Sequence, residues 1–129
     1  LEMLEWKQAG VQHAVFSKLR RGGYDLEYEL DLHQKTVKEA QQAVFQLFQK
    51  ARTKNWRCVL ISHGKGERST TPGRLKSYVA RWLIDHPDVI AYCSAQRNRG
   101  GVGSVYVLIR KSVAGKAANR ERFGLKGEP

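Results

Sequence analysis

Three short segments of this sequence carry side chains that could do chemistry: Asp31-Leu32-His33, His63-Gly64-Lys65-Gly66 and Arg97-Asn98-Arg99-Gly100-Gly101. In the first, an acid and an imidazole stand two residues apart. On a strand that spacing puts both on one face, where the carboxylate can orient the ring and stabilise its protonated form. A plainer role fits equally well, with Asp31 satisfying backbone donors and His33 making a structural hydrogen bond. In the second segment, glycines let backbone N–H groups approach a phosphate, Lys65 adds a point charge and His63 a second proton donor. The alternative is an ordinary turn, and the Gly-Lys-Ser/Thr spacing of a Walker loop is missing. The third is a basic, glycine-rich tip, suited to gripping a backbone phosphate or entering a groove, or else simply solvated. Arg68, Arg74 and Lys76 extend the positive surface at the start of a helix, where cations oppose the dipole and point to an anion nearby.

Carboxylates are scarce around these segments. Between residues 30 and 110 there are only Asp31, Glu39, Glu67, Asp85 and Asp88. A two-metal nuclease site gathers several carboxylates around its ions. This set favours acid–base catalysis by His33, assisted by His63, with Lys65 stabilising charge that develops on a phosphate. Such chemistry is easier on RNA, whose 2′-hydroxyl is a built-in nucleophile, than on DNA. A single divalent cation on Asp31, such as Mg or Mn, stays open as an alternative to a site without metal.

The whole chain supports a polyanionic partner. Its 129 residues carry a formal charge of +11, and the charge is uneven: net −1 over residues 1–29, +9 over 30–110 and +3 over 111–129. The sequence pI is near 10.0. Nucleic acid is the first expectation and an anionic membrane surface the second. With 41% hydrophobic residues the chain can build one core, which excludes a disordered polymer. Cys58 and Cys93 each lie in an apolar run and read as buried, reduced thiols rather than a disulfide or metal pair. No apolar stretch reaches the roughly 20 residues needed to cross a bilayer, and no signal-peptide pattern opens the chain, so a cytoplasmic monomer is expected.

The elements that must position these segments follow from periodicity. Residues 3–21 read as a helix with Leu4, Val11, Val15 and Leu19 at helical spacing, interrupted by Gly10 and stopped at Arg21-Gly22-Gly23. Glu29 to His33 reads as a strand with Leu30 and Leu32 on one side, Asp31 and His33 on the other. Thr36 and Glu39 fit a capping box, opening a helix whose buried stripe is Val37, Ala40, Val44, Leu47, Phe48 and Ala51. Trp56 to Ser62 is an apolar strand. Thr71 as N-cap and Pro72 at the first position open a second helix burying Leu75, Tyr78, Val79, Trp82 and Leu83, which stops before Pro87. Val89 to Ala95 and Ser104 to Arg110 are the last strands, and a small-residue, basic tail follows. The expected fold is α/β: β-α-β-α-β-β, a mixed four-stranded sheet with two helices, one face covered and the other partly open. An arm (residues 1–27), the domain (28–111) and the tail (112–129) divide the chain. Crossover connections make the first three strands parallel, and the short glycine-rich link makes the fourth antiparallel to the third. Parallel strands end on one edge, where open α/β sheets bind ligands, so all three chemical segments converge there.

The three segments, in order and at this spacing, resemble the motifs of the Smr (small MutS-related) domain family. Leu30-Asp31-Leu32-His33 is similar to its Leu-Asp-Leu-His-Gly opening, His63-Gly64-Lys65-Gly66 to its His-Gly-x-Gly loop, and Gly100-Gly101-Val102-Gly103 with Val105, Val107 and Leu108 to its closing motif and last strand. Residues 11–24 resemble the arm that precedes the domain in stand-alone bacterial members. The resemblance implies a fold like the C-terminal domain of bacterial initiation factor three, with nucleic-acid binding and endonuclease activity. It maps cleavage to Asp31 and His33, and the phosphate loop to His63, Gly64, Lys65 and Gly66. DNA nicking is implied by members fused to MutS-like proteins, and action on mRNA at the ribosome by some stand-alone members. The expected contact set is therefore Asp31 and His33 for catalysis, with His63, Gly64, Lys65, Gly66, Arg68, Arg97, Arg99, Gly100, Gly101 and Gly103 for nucleic acid. One position departs from the pattern. Gln34 stands where the family has glycine, which leaves a binding module without cleavage as the rival to an endonuclease.

Overall fold

The structure is a computed structural model that describes residues 3–64 and 74–111. Its elements are β1 (Glu5–Lys7), α1 (His13–Arg20), β2 (Glu29–Asp31), α2 (Val37–Lys54), β3 (Cys58–Ser62), α3 (Arg74–Asp85), β4 (Val89–Ser94) and β5 (Ser104–Ile109). The strands form one mixed sheet in the order β1-β4-β5-β3-β2. β2 and β3 are parallel, while β5 is antiparallel to both β3 and β4. β4 therefore runs in the same direction as β2 and β3, and all three point their C-terminal ends at one edge. They are not all neighbours, however. β5 leaves β4 through a tight connection, turns back and inserts beside β3, which displaces β4 by one strand.

α2 forms for local reasons. The Thr36 hydroxyl accepts from the Glu39 amide at 3.1 Å, and the Glu39 carboxylate accepts from the Thr36 amide at 2.8 Å. This capping box satisfies two donors at the helix start. At the far end Asn55 takes the left-handed conformation, φ 59°, and closes the helix on Ala51. Ala40, Val44, Leu47, Phe48 and Ala51 pack with Val79 and Leu83 of α3 onto Leu32, Val59, Ile61, Val105 and Val107 of the sheet. Val37 is only half-buried. On α3 the expected buried stripe shifts: Val79 and Leu83 are buried, Leu75 and Trp82 half-buried and Tyr78 exposed, while Lys76 is buried in place of an apolar residue. Tyr78 lies on the outer face with the Arg74 guanidinium over its ring, 5.6 Å from the centroid. Thr71 and Pro72, the expected start of this helix, lie outside the described residues.

The N-terminal segment is where the structure overturns the sequence reading. Residues 3–21 do not form one helix. Glu5, Trp6 and Lys7 pair antiparallel with Cys93, Tyr92 and Ala91 as an added edge strand. Trp6 stacks on Tyr92 with ring centroids 5.9 Å apart. Gly10, at φ +93°, then turns the chain into α1. The helical spacing of Leu4 with the later residues was incidental, because an open edge on β4 offers Trp6 more burial and a hydrogen-bonded ladder.

α1 also closes the second face of the sheet, which was expected to be partly open. Phe16 and Leu19 pack there over Cys58, Leu60, Ala91, Cys93, Ala95, Tyr106 and Leu108. The architecture is thus three-layered, with α2 and α3 on one face and α1 on the other. Both cysteines are free and buried in this second layer. Burial pushes the Cys58 thiol up to about 12 and the Cys93 thiol up to about 11. Strand β5 separates them, so their backbones lie roughly 10 Å apart, beyond disulfide reach. No helix among the described residues is long and apolar enough to cross a membrane.

Candidate functional site

Leu30 and Leu32 fix the orientation of the first segment. Leu32 is fully buried beneath α2, so the alternation of the chain turns Asp31 and His33 outward. Asp31 Oδ1 accepts from the His33 amide at 2.9 Å and from His33 Nδ1 at 2.5 Å. The two roles left level by the sequence are both present, since one oxygen satisfies a backbone donor and also orients the ring. The backbone bond, then the side-chain bond, hold the Asp31 carboxyl below its ordinary value. An ionised carboxylate only accepts, so Nδ1 carries the proton and Nε2 is left as the working nitrogen of the neutral ring. With side chains 60% and 70% exposed, His33 and Asp31 are open to a large ligand.

Nε2 of His33 meets the second segment. Gly64 has φ +83°, and a Cβ there would lie 3.3 Å from His33 Nε2. The positive φ favours glycine at this point, and a Cβ would press on the ring. The third segment closes on the same place. The amides of His63 and Gly64 both donate to the Gly103 carbonyl at 3.0 Å, and the hydroxyls of Ser62 and Ser104 lie 2.9 Å apart. The ends of β2, β3 and β5 are thereby tied at one edge, and the link from β4 arrives with them.

Several expected roles change in this geometry. The His63 and Gly64 amides serve Gly103 rather than standing open for a phosphate. Gly103 itself is buried and holds the loops together. His63 is only 4% exposed. Its Nδ1 donates to the Gly64 carbonyl at 2.7 Å, which leaves Nε2 as an acceptor, and Nε2 has no hydrogen-bond partner among the described residues. Burial first, opposed by the Gly64 bond and then aided by Lys76 and His33, lowers the His63 pKa. His63 is therefore neutral at pH 7 and a poor proton donor, contrary to the expected role. A buried acceptor without a partner costs about 1–3 kcal/mol, a cost that a donor on a ligand would remove. Lys76 was read as surface charge. It is 8% exposed and lies near enough to His63 to oppose its protonation. The available signal was spacing: Lys76 stands three and seven residues before Val79 and Leu83, on the stripe of α3 that faces the sheet.

Arg97 and Arg99 are exposed on a single 3-10 turn, Arg97–Arg99, between Gln96 and Gly100. A Cβ on Gly100, at φ +107°, would overlap the Ser104 hydroxyl, so this glycine is there for close packing. Gly101 faces open space. Lys65, Gly66 and Arg68 lie outside the described residues. No group of three or more His, Cys, Asp or Glu side chains among the described residues could hold a metal ion, and Asp31 Oδ1 already has two donors. The groups brought together suit proton transfer and phosphate binding.

Residues 30–110 match the Smr domain. The chain belongs to the Smr domain family. Over 120 residues it is 42% identical to a probable DNA endonuclease SmrA of Escherichia coli strain K12, an alignment covering 92% of this chain and 64% of that protein. It is 36% identical over 100 residues to a ribosome rescue factor SmrB of Yersinia enterocolitica, covering 78% and 54% of the two. The crystal structure of YdaL, a stand-alone small MutS-related protein from Escherichia coli, superposes with a TM-score of 0.75 at 42% identity and 85% coverage of each chain. The chain thus spans less than two thirds of the length of these curated relatives. The Smr pattern also explains Gln34. This residue adopts φ +63°, the left-handed conformation that glycine takes without strain, which is the physical reason for glycine at that place in the motif.

Proposed function

We propose that this chain is an endonuclease that nicks DNA by hydrolysis of a phosphodiester bond. One observation supports it most directly: Asp31 fixes the tautomer of an exposed His33 whose Nε2 is presented beside the Gly64 turn. In the step, Nε2 takes a proton from water as the oxygen forms a bond to phosphorus. The bond from phosphorus to the leaving oxygen breaks, and the proton goes to that oxygen from the imidazolium. Asp31 stabilises the transient positive charge of the ring. Lys65, which follows Gly64 directly in the sequence, and the buried Lys76 supply positive potential for the charge that develops on the phosphate. The name of the relative SmrA supports DNA as substrate. The SmrB relatives favour a second reading, in which the substrate is RNA on a ribosome and a 2′-hydroxyl replaces the water.

The experiment incubates the protein and His33→Ala with supercoiled plasmid and, separately, with structured RNA, each with and without a chelator. The expected result is plasmid nicking that withstands the chelator and falls by 100-fold or more in the variant, in the range of about 10²–10⁴ for loss of a general acid–base. Equal nicking by both proteins removes His33 from the reaction. Cleavage of RNA alone selects the second reading. Tight binding with no cleavage of either polymer makes the chain a binding module.

A further inference from the structure

The arm does more than cover the sheet. At its end, Gly22 (φ +71°) lies so close to the body that a Cβ there would be 2.6 Å from Gln96 Oε1 and 3.1 Å from the Tyr106 hydroxyl. That hydroxyl also lies within 3.4 Å of the Gln96 amide. Arg21 and Arg97 are the chain neighbours of the two residues in this contact. The segment from Gln96 to Gly103 then runs to the catalytic edge, where the Gly103 carbonyl holds the His63 and Gly64 amides beside His33. A continuous series of contacts joins the arm to His33, and Arg21, Arg97 and Arg99 are exposed along it. None of the three forms an ion pair among the described residues, whereas Arg20 pairs with Glu5 at 3.3 Å and Lys18 lies over the Tyr24 ring at 4.5 Å. The helix dipole accounts for the cations in the last turn of α1. It gives no reason for Arg97 and Arg99 to stand beside them.

We propose that Arg21, with Arg97 and Arg99, forms a docking track that holds the substrate backbone away from the cleaved bond. The track rests on the nuclease reading for its direction and on its own geometry for its existence. β4 and β2 are separated by β5 and β3, so the ends of their strands are roughly 14 Å apart at about 4.8 Å per strand. The phosphates of a duplex strand wind around the axis as they rise about 3.4 Å per nucleotide. Arg97 and Arg99, at the β4 end of the loop, therefore meet the backbone a few nucleotides at most from the phosphate at His33, and Arg21 meets it farther out. The ligand is a phosphodiester backbone longer than that, from either DNA or RNA.

The test measures binding of the full chain to a labelled DNA duplex of about 20 base pairs, two helical turns, and to a hairpin RNA of similar length, each across a series of salt concentrations. Arg21→Glu is compared with Lys50→Glu, the same charge change at an exposed position on α2, and thermal unfolding checks that both fold. On at least one polymer, Arg21→Glu weakens binding by about tenfold and lowers the slope of log affinity against log salt by about 1, the mark of one lost phosphate contact. Arg21→Gln gives the same change of slope with a smaller loss. The polymer that responds identifies the source of the backbone. An unchanged slope on both, or equal losses in Arg21→Glu and Lys50→Glu, overturns the track and leaves the nuclease reading untouched. Loss of cleavage in His33→Ala with binding intact bears on that reading alone, and a chain that binds without cleaving still reports on the track.

Discussion

The two rims of the sheet are built from similar residue types and do opposite things with them. At the rim where β4 begins, every prominent polar group has a partner. Asp88 pairs with Arg52 at 2.8 Å, its amide donates to His86 Nδ1 at 3.1 Å, and the His86 ring stacks on Phe48 at 4.2 Å between centroids. Arg110 binds the Pro87 carbonyl and the Gln8 side chain and donates its amide to the Asp88 carbonyl. At the other rim, among the described residues, His33 presents Nε2 beside Gly64 with only its Nδ1 engaged, and the buried His63 acceptor has no partner. An acid, histidines and cations occur at both ends. A rim whose hydrogen-bonding capacity is filled contributes stability, and one that holds capacity in reserve is arranged for a ligand.

Substitutions break this contrast in order of size. Gly64→Ala is the sharpest after removal of His33 itself. It places a methyl 3.3 Å from Nε2 at a φ that L-residues avoid, so nicking falls by tenfold or more while the backbone strain costs about 1–2 kcal/mol of unfolding free energy. His86→Ala does the reverse. It loses the stack on Phe48 and the acceptor for the Asp88 amide, which lowers stability by about 1–2 kcal/mol, read as a thermal midpoint shift, with nicking unchanged at permissive temperature.

Acid sharpens the same comparison. Burial lowers the pKa of both His63 and His86 below the ordinary 6.5. The unfolded chain then takes up protons before the folded one. Stability is full above pH 6.5 and declines as the pH falls toward the depressed values of the folded state. Denaturant midpoints measured down through this window fall for the native chain, and the decline is shallower in His86→Ala. The smallest effect belongs to Gln34→Gly, which removes the left-handed strain and raises stability by about 0.5–1 kcal/mol less the added chain entropy of glycine. Little change in nicking is expected, and a large rise would show that the amide hinders the site.

How much of this was legible depends on sequence distance. The capping box of α2 and the outward pair Asp31 and His33 are set by residues within one or two turns of each other, and both were readable. The convergence of the three segments followed from strand direction. β1 was not readable, because what makes Trp6 extended is Tyr92, which lies far along the chain. The insertion of β5 beside β3 was equally invisible, since hairpin connectivity says nothing about the partner on the other side. His63 was misread for a related reason. Its residue type offered a proton donor, whereas its burial arises where its turn is bonded to Gly103 of a loop about forty residues away, which local sequence does not reveal.

The sealed thiols of the second layer have a practical consequence. Cys58 and Cys93 are held protonated and away from solvent, so thiol-modifying reagents and peroxide pass the folded chain by. Modification of either cysteine requires α1 to lift from the sheet or the whole domain to open. The rate at which a small alkylating agent labels the two therefore serves as a built-in clock for that opening, readable by mass without adding any probe.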